Sequence, residues 1–269
     1  MAETLRTAAV QLQSDVDLLR NLRAVEQQVR RAVDLGARLV ALPENFAYFG
    51  PERDRRSLAE GLGESGPIQD CLRELAEKNR IYLLGGGFPE RSDDGQRPFN
   101  TSVLFDPDGA LAASYRKIHL FDVELPSGQA LRESAGTSAG SDVVVATVDG
   151  FRVGLSICYD LRFSRLYDRL HEAGAEILTV PAAFTEQTGK DHWHVLLRAR
   201  AIEWQCWVVA PGQWGEHPGQ RRSYGHSLIV DPWGTVVAQC SQGVGVCLVD
   251  VSRDLLQEVR QRMPRQAQL

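Results

Sequence analysis

Long apolar runs are missing from this chain of 269 residues: none approaches the roughly 18–20 residues that span a bilayer. No membrane association is therefore expected. An excess of one charge is missing too. The 30 Lys and Arg stand against 35 Asp and Glu, a net charge of −5, which leaves no basic field to hold nucleic acid or acidic lipid. Cysteine is sparse, five residues in all and without paired spacings. That argues against a disulfide framework and for a reducing, cytoplasmic setting. The opening Met1-Ala2-Glu3-Thr4-Leu5-Arg6 lacks the basic-then-apolar pattern of a secretory leader. There is no HExxH, no CxxC pair, no Ser-His-Asp elbow and no phosphate loop, and Gly85-Gly86-Gly87 lacks the spacing of a dinucleotide fingerprint. Neither metal nor cofactor is expected. Internal repeats, low-complexity stretches and Ser/Gly linkers are also absent, so residues 1–269 read as a single domain.

What is present is an ordinary globular composition, 43% hydrophobic and 24% charged. Apolar periodicity predicts a strand at Thr7–Leu12, an amphipathic helix at Leu18–Leu35 and a strand at Arg38–Leu42 stopped by Pro43. A helix at Ile68–Lys78 and a strand at Ile81–Gly86 follow. Hairpins then turn on Asp106-Pro107-Asp108-Gly109 and Asp149-Gly150, the second ending in a strand from Val153 to Cys158. Beyond them the pattern reads helix Ser164–Ala173, strand Ile177–Val180, helix Asp191–Glu203 and strand Trp207–Ala210. A hairpin on Asp231-Pro232-Trp233-Gly234, the strand Gly245–Val251 and a last helix to Met263 complete the chain. Helices beside mixed sheets whose inner strands are wholly apolar imply a layered α/β fold with two sheets and outer helices.

Three of the predicted strand ends carry reactive groups. Cys158 closes an apolar strand just before a helix start, where backbone N–H groups favour a thiolate and can bind a developing oxyanion. Glu44 follows the buried run Leu39-Val40-Ala41-Leu42-Pro43, and a half-buried carboxylate suits a general base. Lys117 lies just beyond the strand Leu111–Tyr115. Singly, each has an ordinary explanation: a small buried thiol, a loop carboxylate, a surface lysine. Their recurrence at three strand ends is what points to chemistry. The histidines are weaker candidates. His192 and His194 are two apart on a helix and face different ways, and His119 and His226 read as structural hydrogen-bonders beside turns.

These residues sit in recognisable motifs. Leu42-Pro43-Glu44-Asn45, Arg116-Lys117-Ile118-His119-Leu120-Phe121-Asp122 and Cys158-Tyr159-Asp160-Leu161-Arg162-Phe163 resemble the Glu–Lys–Cys triad segments of the nitrilase superfamily of carbon–nitrogen hydrolases, in that family's order, with separations of 73 and 41 residues. Residues 5–260 share the resemblance. Asp122-Val123-Glu124-Leu125-Pro126, Leu131-Arg132-Glu133-Ser134, His192-Trp193, Leu196–Glu203, Arg222–Ser227 and Val230–Val236 are similar to the Nit branch and its amidases of deaminated glutathione. One departure is the end, Arg262–Leu269, where relatives carry an Arg/Pro-rich tail that stops near a tyrosine.

The resemblance implies a four-layer α-β-β-α sandwich and a cofactor-free amidase working through a Cys158 thioester. In that scheme Glu44 serves as base, Lys117 and the Tyr159 backbone N–H hold the oxyanion, and Glu133 supports the lysine or the attacking water. Arg162, four residues past the thiol, is suited to pair with a substrate carboxylate. Phe184 and Thr188 fall in the segment that lines the family's pocket. The expected partner is a small-molecule amide, deaminated glutathione first and an omega-amide such as 2-oxoglutaramate or 2-oxosuccinamate second. A silent interaction protein on the same scaffold is the reading from another class. A homodimer is implied by the family, with weak support from the apolar surface of Leu196–Trp207.

Overall fold

The computed structural model describes residues 3–93, 95–124 and 130–264. In strand β1 (Thr4–Gln11), Leu5 and Ala9 enter one apolar cluster while Ala8 and Val10 enter another. Strand β2 (Leu39–Ala41) divides its residues in the same way, with Leu39 and Ala41 on one face and Val40 on the other. A strand that is apolar on both faces must lie between two layers, and that alternation positions the sheet.

The first sheet runs β16-β1-β2-β3-β4-β5, adding β3 (Tyr82–Glu90), β4 (Phe99–Phe105), β5 (Leu111–Arg116) and β16 (Gly245–Ser252). Its three strands β1, β2 and β3 are parallel and the outer pairings antiparallel. The second sheet runs β8-β9-β10-β11-β14-β15, built from β8 (Val145–Val148), β9 (Phe151–Leu155), β10 (Ile177–Thr179), β11 (Trp207–Ala210), β14 (Leu228–Val230) and β15 (Val236–Gln239). It repeats the same sequence of pairings, with β9, β10 and β11 as its parallel centre.

Helices α1 (Leu18–Asp34) and α3 (Pro67–Asn79) cover the outer face of the first sheet through Leu22, Val25, Val29, Ile68, Leu72 and Leu75. Helices α4 (Ser164–Glu172) and α5 (Glu186–Trp204) cover the second through Leu166, Leu170, Trp193 and Leu197. The remaining face of each sheet meets the other, giving the α-β-β-α sandwich that the resemblance implied. The short helix α2 (Glu52–Arg55), the terminal helix α6 (Arg253–Arg262) and the small ribbons β6–β7 (Asp122–Glu124, Ala130–Arg132) and β12–β13 (Trp214–His217, Arg221–Tyr224) complete the described elements.

Differences from the sequence reading are local. Strand β9 stops at Leu155, three residues before the thiol, and Cys158–Arg162 forms a 3₁₀ turn in place of an α-helix start. Helix α5 begins at Glu186, five residues earlier than its apolar pattern indicates, because Thr185 caps it: its Oγ1 accepts from the Thr188 N–H at 3.4 Å. Leu125-Pro126 of the quoted motif and residues 265–269 of the tail lie outside the described residues.

Candidate active site

Equivalent strands of the two sheets leave through a proline and meet. The chain exits β2 at Leu42-Pro43, with the Leu42 N–H still donating to Leu84 O, and exits β10 at Val180-Pro181, with Val180 N–H donating to Val209 O. Gly86 of β3 packs between them. A Cβ there would stand 2.0 Å from Leu42 O and 2.5 Å from Pro181 Cβ, so this glycine of the Gly85-Gly86-Gly87 run is a packing requirement. Past the first exit comes Glu44; past the second comes Ala183, whose N–H donates to Glu44 Oε2 at 3.0 Å.

Lys117 follows β5 with its side chain buried. Its backbone is pinned on both sides, N–H to Asn100 O and C=O from Gly140 N–H. Its Nζ lies 2.9 Å from Glu44 Oε1 and 2.8 Å from Glu133 Oε2. Glu133 also accepts from the Phe121 N–H at 2.7 Å. A buried lysine between two carboxylates is a paired charge, the condition under which burial of this residue is tolerated. Burial alone works against the ammonium, but Glu133, Glu44 and Cys158 outweigh it and hold the Lys117 pKa well above the ordinary lysine range. Burial likewise opposes charge on Glu133, and the lysine more than compensates, drawing its pKa below the carboxylate norm.

Cys158 occupies the left-handed backbone region at φ +49°, costly for a residue with a Cβ. Asp160, fully buried, fixes the turn. Its carboxylate accepts from Ile157 N–H at 2.9 Å, His119 N–H at 3.0 Å and Tyr115 O–H at 2.7 Å, which ties the thiol's turn to the lysine's segment. The Cys158 N–H donates to Pro181 O at 2.8 Å. Burial and then the Glu44 carboxylate, within hydrogen-bonding reach of the thiol, push the Cys158 pKa well up; Lys117 pulls the other way and does not prevail. The thiol therefore sits on a 3₁₀ turn and not at an α-helix start, and burial and the neighbouring carboxylate both oppose its ionisation.

Glu44, Lys117, Glu133, Cys158, Tyr159, Arg162, Phe184 and Thr188 all line one cavity of about 420 Å³. Arg162 stacks above Phe184 and Tyr159, at 5.3 and 5.8 Å to the ring centres, and lies 3.3 Å from His192 Nδ1. Phe184 serves the core as well, packed 4.9 Å from the Trp193 ring. The Thr188 hydroxyl is engaged with Thr185 Oγ1 at 2.8 Å. His194 turns away from His192 toward Gln239, and His119 binds Asp160 through Nδ1 at 2.7 Å. Cys206, Cys240 and Cys247 are buried strand-region thiols outside the cavity.

Sequence reasoning missed three contributing side chains, besides the Ala183 backbone N–H. Asn100 donates from β4 to Glu44 Oε1 at 2.9 Å; a buried amide within the run Phe99–Phe105 was the available signal. Asp160 is the second, two residues past the thiol. Arg55 is the third, brought into the cavity wall by the short helix α2, which has no periodic pattern to reveal it.

Residues 6–261 match the family model for carbon-nitrogen hydrolases. The chain is 43% identical over 260 residues to the deaminated glutathione amidase of Synechocystis, covering 96% of this chain and 95% of that protein. It is 46% identical over 264 residues to the deaminated glutathione amidase of Bos taurus, covering 96% of this chain and 79% of that one. The crystal structure of the C. elegans NitFhit protein superposes with a TM-score of 0.92 at 41% identity, over 98% of this chain and 65% of that longer one. With a family model matched over nearly its whole length and relatives this similar, the chain belongs to the carbon-nitrogen hydrolase family.

Proposed function

We propose that this carbon-nitrogen hydrolase cleaves the amide of deaminated glutathione to 2-oxoglutarate and cysteinylglycine through a Cys158 thioester. The observation that carries the reading is the meeting of a buried thiol, a buried carboxylate and a paired, buried ammonium in one cavity, on a chain whose relatives are deaminated glutathione amidases. Glu44 takes the thiol proton as the sulfur attacks the amide carbon. Negative charge moves to the carbonyl oxygen, where Lys117 Nζ and the Tyr159 backbone N–H receive it in a dry site. Glu44 then protonates the departing amine, the C–N bond breaks, and the acyl group remains on sulfur. Water attacks the thioester with Glu44 accepting its proton, the C–S bond breaks and the thiol is restored. Glu133 holds Lys117 charged and in place. Arg162, above Phe184 and near Thr188, pairs with the oxo-acid carboxylate.

The test is a parallel assay of the protein and its Cys158→Ala variant on deaminated glutathione and 2-oxoglutaramate, with 2-oxoglutarate release as readout. A higher kcat/KM on the first substrate, lost in the variant, is expected. Preference for the second moves the protein to omega-amide chemistry, and no turnover of either overturns the reading.

Val195 and Ile202 are exposed on α5, and Trp233 is exposed in a loop that Arg198 ties to the helix through Gly234 O at 2.7 Å. That apolar surface supports a homodimer, checked by light scattering. The buried layers support a single domain, checked by one cooperative unfolding transition. None of the helices in the described residues is long and apolar enough to cross a membrane, and the five free cysteines favour a cytoplasmic setting, checked by fractionation.

A further inference from the structure

Deaminated glutathione carries a carboxylate at each end, and Arg162 accounts for only one. The same cavity is also lined by Arg55 and Arg221, with Phe49 and Glu52. Arg55 is 4% exposed. Its Nη1 donates to Asn45 Oδ1 at 2.7 Å, but Nε and Nη2 have no hydrogen-bond partner. Glu52 makes a long ion pair with each, 3.5 Å from Arg55 Nε and 3.6 Å from Arg221 Nη1, beyond ordinary hydrogen-bond length. Arg221 stacks over Phe49 at 5.9 Å and otherwise reaches Gly50 O at the limit of 3.5 Å. A buried guanidinium with unused donors is costly unless a ligand completes it. Two arginines face one glutamate in this cluster, and Arg55 also acts electrostatically on Glu133.

The position assigns the end. The acyl half of the substrate stays on Cys158, in the turn that also carries Arg162. The amine half leaves with a proton from Glu44, and Arg55 is held by Asn45, the residue next to Glu44. We propose that Arg55 and Arg221 form a second anion subsite that binds the terminal glycine carboxylate of the leaving cysteinylglycine. This rests on the function proposed above. It explains how a site can prefer a dipeptide leaving group to ammonia: the added binding comes from the leaving half.

The experiment compares kcat/KM for deaminated glutathione with that for its glycinamide form, in which the terminal carboxylate is neutral. The unmodified protein is expected to favour the free carboxylate by about tenfold or more, the scale of a hydrogen bond to a charged group. In Arg221→Gln that ratio falls toward one. In Arg162→Gln both substrates slow and the ratio is kept. Because each ratio is taken within one protein sample, partial unfolding of a variant cancels. A ratio near one in the unmodified protein, a ratio that Arg221→Gln leaves alone, or a ratio that only Arg162→Gln removes overturns the subsite. Failure to hydrolyse either form overturns the proposed function and this subsite with it, an outcome distinct from the other three.

Discussion

The two sheets share an order and a pattern of strand directions, yet they bring different chemistry to the cavity. The first delivers charge: Glu44 past β2 and Lys117 past β5. The second delivers the thiol past β9 and the backbone amide of Ala183 past β10. The contrast is sharpest at the two equivalent proline exits, where one presents a carboxylate and the other an N–H that binds it. Repeated architecture therefore supplies position, and the residue just beyond each strand supplies the function. A carboxylate this deeply buried is kept by partners from both halves, Lys117 and Asn100 from the first sheet and Ala183 from the second.

The largest expected effects come from removing one half's contribution entirely. Cys158→Ala is expected to lower kcat on the order of 10⁴-fold or more, with the fold retained by circular dichroism. Glu44→Gln, which keeps shape but not basicity, is expected to cost about 10²–10⁴-fold in kcat. If Glu44→Gln retains full turnover, the division of labour between the sheets is wrong.

Next in size is Lys117→Met. It leaves Glu44 and Glu133 buried without their shared cation, and breaking a buried pair in this way costs about 3–5 kcal/mol. Denaturant unfolding at neutral pH measures it. A loss below about 1 kcal/mol, the scale of an exposed pair, denies that the first sheet's charges form one buried unit. Gly86→Ala tests the meeting of the two exits instead of their chemistry. Overpacking of this kind costs about 1–3 kcal/mol, and here the clash is with backbone. An unchanged denaturation midpoint means that the exits do not press on one another as described.

The fold was legible because buried parallel strands announce themselves. Leu39–Ala41 and Ile177–Thr179 are buried on both faces, and the prolines after them mark where the chain departs. The hairpin turns at Gly109 and Gly150 likewise carry their own signal, each glycine at positive φ. The acid, amine and thiol were legible as reactive types at strand ends, and the family resemblance joined them. What the sequence hid was the support. Ala183 acts through its backbone, which has no residue signature. Asn100 is one amide among strand residues, and Arg55 reaches the cavity from a four-residue helix outside any periodic pattern. Glu186 opens α5 through a cap that apolar periodicity cannot detect.

The finest test of the two-sheet contrast is the ionisation of the thiol, since both first-sheet charges act on it with opposite signs. Burial and Glu44 raise the Cys158 pKa, while Lys117 lowers it. A group with a raised pKa binds its proton to higher pH, so thiolate ultraviolet absorbance, read against Cys158→Ala, is expected to appear only well above neutrality. In Glu44→Gln the midpoint falls, because a negative neighbour has gone; in Lys117→Met it rises, because a positive one has. Shifts of the same sign in both variants imply that altered burial, and not the two charges, controls the thiol. A midpoint below neutrality in the unmodified protein implies a resting thiolate, and the proton that Glu44 is proposed to accept in the first step is then already gone.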